Sequence, residues 1–426
     1  MNKTPAVRFK GFTEDWEQRK LCEITTEKLT NGVMNYRSVE PTDVRHINVI
    51  NMYTSDEIHI DELSFSAYDD SVLNKCNVEF GDVFLTRSSL KPEGIAEPNV
   101  LLANGRFVFD DHLIRMKINK KKYDPCFIKI CLETRHIKEQ FIKSSKTTAF
   151  TTIGQDDIAD CIGFFPDITE QKSLALIFSS IDNLITLHQR KYEKLVNIKK
   201  SMLYKMFPQN GSKVPEIRFA GFTDDWEQQA FEKAFDYLQN NTLSRAELNN
   251  ENGVAKNVHY GDVLIKFGEY LDISNSVLPY ITSQQVTNRF RSSLLKNGDV
   301  VMADTAEDET VGKCTELAGI SHYPIISGLH TIPLRPKIKF AAGYLGYYMN
   351  SSRYHNQLLP LIQGTKVSSI SKNALKNTSI LFPSKTDEQR LIGQFFIQLD
   401  DLIIFHQRKL EKLKQLKQAM LHKMFV

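Results

Sequence analysis

Two places in this chain set short hydroxyl side chains beside cations, a combination that suits phosphate oxygens and base edges. Thr86-Arg87-Ser88-Ser89-Leu90-Lys91 follows a strand-like run, and Lys143-Ser144-Ser145-Lys146-Thr147-Thr148 forms a loop after a helix rich in Lys and Arg. Further along, Gln284, Gln285, Arg289, Arg291 and the run Gln363-Gly364-Thr365-Lys366 offer amide and cationic groups of the same kind. The candidate nucleic-acid contacts are therefore Arg87, Ser88, Ser89, Lys91, Lys143, Lys146, Thr147 and Thr148, with Gln284, Gln285, Arg289, Gln363, Gly364, Thr365 and Lys366.

Catalytic readings fail on spacing. Gly312-Lys313-Cys314 lacks the preceding Gly and the Ser or Thr of a phosphate-binding loop, and no Gly-rich dinucleotide fingerprint is present. Asp167, Glu170 and Lys172 are too close in sequence to sit on a metal-holding strand pair, and helix capping explains them. His188 and His406 fall on an apolar helical seam with no acidic or thiol company, where a polar residue sets register. The six Cys show no metal-ligand spacing and read as reduced thiols, with Cys126 and Cys131 in a buried helical stretch. No Asn-Pro-Pro-aromatic or Asp-Pro-Pro-aromatic motif for holding a flipped base occurs. The chain reads as non-catalytic, with no cofactor and no metal.

The elements that position these residues come in two copies. Pro5-Ala6-Val7-Arg8-Phe9-Lys10-Gly11-Phe12-Thr13-Glu14-Asp15-Trp16-Glu17-Gln18 returns as Pro215-Glu216-Ile217-Arg218-Phe219-Ala220-Gly221-Phe222-Thr223-Asp224-Asp225-Trp226-Glu227-Gln228, a shift of 221 − 11 = 210. Each of the only two Trp marks one copy. His188-Gln189-Arg190-Lys191 returns as His406-Gln407-Arg408-Lys409, a shift of 406 − 188 = 218. A period this long is a duplicated domain, since solenoid repeats run about 20 to 50 residues. Two such units imply pseudo-twofold symmetry, suited to duplex DNA.

Each copy ends in a long amphipathic stretch. The first places Leu174, Ile177, Ile181, Leu184, His188, Tyr192, Leu195, Ile198, Met202 and Met206 at steps of three and four. The second repeats the pattern with Phe395, Leu399, Leu402, His406, Leu410, Leu413, Leu416, Met420 and Met424. Pro166 and Pro383 precede Asp, Ser or Thr caps and Glu in the first turn, and Lys residues fill the far ends. Helices of about 38 residues would be roughly 57 Å long. Neither buries its stripe alone, so an antiparallel intramolecular coiled coil is expected. Between Trp motif and helix lie about 150 residues of mixed strand and helix per copy, sharing a Gly-Asp-Val turn at 81–83 and 298–300. Thr147-Thr148-Ala149-Phe150-Thr151-Thr152-Ile153 corresponds to Gly364-Thr365-Lys366-Val367-Ser368-Ser369-Ile370. One fold thus carries two different surfaces.

Composition is ordinary for a globular chain, with 41% hydrophobic and 25% charged residues, and a net charge of +3 gives no global attraction to polyanions. Any basic surface must be local. Without a leader-like start or a run near 18 apolar residues, the expectation is a cytoplasmic protein with no membrane contact.

Together the paired Phe-x-Gly-Phe-x-x-x-Trp-Glu-Gln segments, the Phe-Pro helix entries with Glu-Gln, and the His-Gln-Arg-Lys helices ending in Lys-Met-Phe carry a resemblance. The layout resembles the specificity subunits of type I restriction-modification enzymes over essentially the whole chain. The resemblance implies an α+β fold of two similar mixed α/β target-recognition domains, separated by two long antiparallel coiled-coil helices in pseudo-twofold arrangement. The corresponding domains are 1–165, a spacer helix and linker at 166–212, a second domain at 213–383, and a second helix at 384–426. It implies that each domain reads one half of a split asymmetric double-stranded DNA site. It also implies two methyltransferase subunits as partners, and restriction subunits in the full complex. Phe12, Trp16, His188, Arg190, Phe222, Trp226, His406 and Arg408 are the expected partner contacts, and half-site spacing near one helical turn, about 34 to 36 Å, is expected. A standalone DNA-binding regulator and a scaffold binding protein or RNA are the other classes compatible with these residues.

Overall fold

The Gly-Asp-Val turns do the same work twice. Gly81 and Gly298 take φ of +84° and +86°, a conformation open to glycine at no steric cost. The Asp82 and Asp299 carboxylates accept the backbone N–H groups of Glu79 and Lys296, at 3.0 and 2.8 Å. Each turn feeds a fully buried strand, Val83–Thr86 in one case and Val300–Ala303 in the other. The computed structural model describes residues 4–54, 56–364 and 366–426.

The chain divides into two units, one of Met1–Lys191 with His406–Val426 and one of Tyr192–Phe405. Both long helices, Ile168–Lys205 and Thr386–Met424, cross the dividing line, so each unit contains a segment of each. Among the described residues no helix is long and apolar enough to cross a membrane.

In the first unit an antiparallel sheet runs in the order Thr30–Asn31, Leu113–Met116, Val83–Thr86, Pro98–Val100. A second sheet orders Ser64–Phe65, Val44–Ile47 and Arg106–Phe109, with the last two parallel. The strand Glu17–Lys20, just after Trp16, pairs with Ile162–Phe165, just before the long helix. The Trp motif and the helix entry are thereby held together. The second unit repeats this with Glu227–Ala230 against Ser379–Phe382. Its main sheet has five strands, ordered Phe235–Tyr237, Thr331–Pro336, Val300–Ala303, Cys314–Ala318, Tyr270–Asp272. A three-stranded sheet adds Tyr280–Ile281, Ala255–Val258 and Ile325–Ser327.

Each unit places two short helices in immediate succession. Helices Pro125–Leu132 and Arg135–Ser144 flank Thr134, while Tyr344–Asn350 and Ser352–Leu358 flank Ser351. The cause of the break is the same hydroxyl in both. Thr134 Oγ1 donates to the Cys131 carbonyl at 2.7 Å and Ser351 Oγ to the Tyr348 carbonyl at 2.6 Å, diverting carbonyls from the helix ladder.

Within the first unit the helix segments meet antiparallel, with Asp182 against Lys417 at 2.9 Å and His188 Nδ1 against His406 Nδ1 at 2.8 Å. Ile181 and Ile185 bury against Leu410. Within the second unit Lys199 meets Asp400 at 2.7 Å, and Phe207 stacks on Phe396. The buried stripe differs from the expected one. Leu184, Leu402 and Leu416 are 44%, 48% and 48% exposed, whereas Phe178 and Phe396 are fully buried and Ile185 nearly so. Steps of three and four from Leu174 reach Ile181 by way of Ile177 or of Phe178. The larger ring wins because the helix entry packs into its own domain core as well as against the other helix.

Candidate nucleic-acid interface

Immediately after the buried strand Val83–Thr86 the chain emerges as Ser88–Ser89 and forms the edge of a three-stranded ribbon with Thr151–Thr152 and Lys146–Thr147. Ser88 pairs with Thr152 and Ser89 with Thr151, while Lys146 and Thr147 pair with the same two residues from the other side. The threonine hydroxyls of 147 and 151 lie 3.1 Å apart. Ile153, buried below, donates its N–H to the Arg87 carbonyl at 3.1 Å, and the Arg87 N–H donates to the His112 carbonyl at 2.8 Å. Arg87, Lys91, Lys143, Lys146, Thr147 and Thr148 are all exposed, and Phe150 at the ribbon tip is 54% exposed. β-branched hydroxyl residues suit such a half-exposed edge.

The second unit builds the same ribbon. Thr305 pairs with Ser369, Ala306 with Ser368, and Gln363 bridges to Ser369 from the far side. Each of these positions lies 217 after its counterpart: 305 − 88, 369 − 152, 306 − 89, 368 − 151 and 363 − 146. The supporting bonds match as well, with Ile370 N–H on the Asp304 carbonyl at 2.8 Å and Asp304 N–H on the His330 carbonyl at 3.1 Å. Gly364 has a φ of +112°, and a Cβ there would stand 2.0 Å from the Val367 carbonyl oxygen. Only glycine fits that corner. Lys366 is exposed, and Thr365 lies outside the described residues.

The side chains on the two ribbons differ in sign. Arg87, Lys91 and Lys146 give way to Asp304, Asp308 and Gln363. Asp304 is engaged locally, accepting from Thr305 Oγ1 at 2.8 Å with His330 Nδ1 at 3.4 Å. The Thr310 hydroxyl and backbone N–H hold the Asp308 carboxyl below its usual range.

Most expected contact residues thus converge, with exceptions. Gln284, Gln285 and Arg289 lie on a short helix, Gln284–Arg289, whose Val286 packs on the sheet core of Ala255, Ile281 and Ile326, and they are not part of the ribbon. Sequence reasoning aligns Thr151 and Thr152 with Ser368 and Ser369 without naming them as contacts, and does not single out Thr305; the same shift of 217 carried on from Ser88 reaches it.

The expected partner contacts also divide. Trp16 and Trp226 are 1% exposed, so their indoles are core residues and not contact surface. Each packs edge-on against the Phe near the end of a long helix, Trp16 on Phe425 and Trp226 on Phe207. Arg8 grips Glu170 with two bonds of 2.7 Å, and Arg218 grips Glu388 with bonds of 2.7 and 2.8 Å. Glu170 and Glu388 are therefore buried ion-pair partners as well as first-turn acids. Gln171 and Gln389 donate to the Pro166 and Pro383 carbonyls at 2.8 Å, closing each helix entry. Phe12 and Phe222 are half-buried, and Arg190 and Arg408 are exposed. His188 and His406 are occupied with each other.

Residues 224–415 match the family described as the type I restriction modification DNA specificity domain. That stretch thus carries a type I restriction-modification DNA specificity domain, and the chain as a whole is similar to specificity subunits. Two curated relatives from Methanocaldococcus jannaschii agree. The type I restriction enzyme MjaVIII specificity subunit is 24% identical over 74% of this chain and 72% of its own length. The putative type I restriction enzyme MjaX specificity subunit is 23% identical over 96% and 92%. The crystal structure of the type-I restriction-modification system S subunit from M. genitalium shares the fold, with a TM-score of 0.61, 12% identity and 99% coverage of both chains. A specificity subunit is the non-catalytic, DNA-recognising component of such an enzyme. The second ribbon lies inside the matched stretch.

Proposed function

We propose that each unit reads one half of a bipartite, asymmetric DNA site through its ribbon, and that the long helices space the two readers. The observation that carries this is the ribbon built twice in one register at a constant shift of 217, with side chains of different charge on the same frame. Shared backbone with divergent side chains is what two readers of different half-sites require. On this reading the domains are 1–165 and 213–383, and the helices at 166–212 and 384–426 belong to the spacer.

The cationic first ribbon suits phosphate contact through Arg87, Lys91, Lys143 and Lys146, with Ser88, Ser89, Thr147 and Thr148 at base edges. In the second, Gln363, Thr365 and Lys366 take that part, with Gly364 at the corner. Gln284, Gln285 and Arg289 then serve as a separate flank of the second reader. Two methyltransferase subunits would dock on features that recur in each copy, namely Phe12 with Arg190 and Phe222 with Arg408, and restriction subunits would join the full complex. The pseudo-twofold frame belongs to this proposal. It is supported by matched contacts: Asp182 with Lys417 and Asp400 with Lys199, and the bonds Val7 N–H to Lys423 carbonyl and Ile217 N–H to Lys205 carbonyl. Replacing residues 19–165 by the corresponding stretch of a relative tests it, because one half of the recognised site alone should change.

A further inference from the structure

Beyond the strand Arg106–Phe109 the chain turns through Asp110, Asp111 and His112, whose carboxylate and imidazole ligand atoms all lie within 4.8 Å of one another. Acids on a turn are ordinarily just solvated. The neighbouring strand Val44–Ile47 adds something a solvated turn does not explain. Its His46 is fully buried, neither ring nitrogen has a hydrogen-bond partner among the described residues, and Nε2 lies 3.9 Å from Asp110 Oδ2. A buried imidazole left without a partner is costly.

We propose that His46, Asp110, Asp111 and His112 form a divalent-cation site for zinc or manganese. Two imidazoles with two carboxylates are a borderline donor set that suits these ions. Two ligand atoms on one tetrahedral ion at about 2.0 to 2.2 Å stand about 3.3 to 3.6 Å apart, so His46 Nε2 and Asp110 Oδ2, at 3.9 Å, need to close by only a few tenths of an ångström. The remaining gaps, up to 4.8 Å within the cluster, would have to be closed by the exposed His112 side chain.

The second unit provides an internal comparison. Ile47 pairs with Phe109 as Val258 pairs with Ser327, so Asn257 stands where His46 does, and Gly328, Leu329 and His330 stand where Asp110, Asp111 and His112 do. Both carboxylates and the buried imidazole are replaced together. Asn257 Oδ1 instead accepts from Asn241 Nδ2 at 2.7 Å. In the first unit the ion would pin a turn whose His112 carbonyl accepts the Arg87 N–H at 2.8 Å and whose Asp111 carbonyl accepts Asn31 Nδ2 at 3.0 Å. The site therefore anchors the base of the first ribbon.

The test is calorimetric titration of the metal-stripped full chain with zinc chloride or manganese chloride alone, paired with thermal melts and without DNA. One saturable site per chain with a raised Tm is expected. Asp110→Asn with Asp111→Asn should abolish it, and His112→Ala, an exposed change that leaves folding intact, should weaken it by at least about tenfold. His46→Asn, copying the second unit, should also remove it, while His188→Asn should leave it unchanged. Absence of saturable binding, or unchanged binding in His112→Ala and the double Asn variant, would overturn the assignment.

Discussion

At the scale of single residues, ribbon cations and ribbon hydroxyls should separate by assay. Arg87→Ala or Lys146→Ala should weaken binding to all sequences and lower the slope of log affinity against log salt by about 0.9 for each phosphate no longer neutralised. Thr147→Val should leave that slope unchanged and relax discrimination at one base position. Salt titrations on matched and mismatched duplexes check both. A second prediction concerns pH. His188 is held below its ordinary value by burial, then by His406, Lys191 and Lys409; burial lowers His46 and His259 too. Between its folded pKa and the unfolded value near 6.5, each such His binds more proton when unfolded. The contribution of these His residues to stability should therefore be fully present above about pH 6.5 and decline as pH falls below it. His188→Asn should make that decline shallower, and urea melts from about pH 5.5 to about pH 7.5 should record it; an unchanged slope would contradict the account.

At the scale of elements, the joint between Trp motif and helix entry rests on a buried bidentate ion pair. Glu388→Gln leaves the Arg218 guanidinium poorly compensated and should cost about 3 to 5 kcal/mol, read as a lowered urea midpoint, and Glu170→Gln should act alike on Arg8. A loss below about 1 kcal/mol, the worth of a surface pair, would show that the joint is solvated. These elements also show what sequence periodicity can and cannot reveal. Helix entries, the Gly-Asp-Val turns and the long helices were legible because each depends on local chemistry: Pro and caps, a positive φ, a repeating apolar step. The side of the seam was not, because Ile177 and Phe178 satisfy the same spacing and only the surrounding core chooses between them. Nor were the breaks at Thr134 and Ser351, where one hydroxyl overrides an otherwise helical run. The ribbon was half visible: its hydroxyls and cations stood out in the first copy, but its middle strand is two residues long and gives no periodic signal.

At the scale of the whole molecule, duplication provides the frame and divergence provides the content. Trp16 and Trp226 mark the duplication most plainly, yet they are core residues, and the positions proposed to read DNA are those where Arg87 becomes Asp304 and Lys91 becomes Asp308. A chain organised this way should be modular. The decisive measurement exchanges residues 19–165 for those of a relative, expresses the chimera with methyltransferase partners, and maps methylated bases across the host genome. The account predicts a bipartite motif in which one half changes and the other half and the spacer stay as they were. A motif altered in both halves, or in neither, would contradict it.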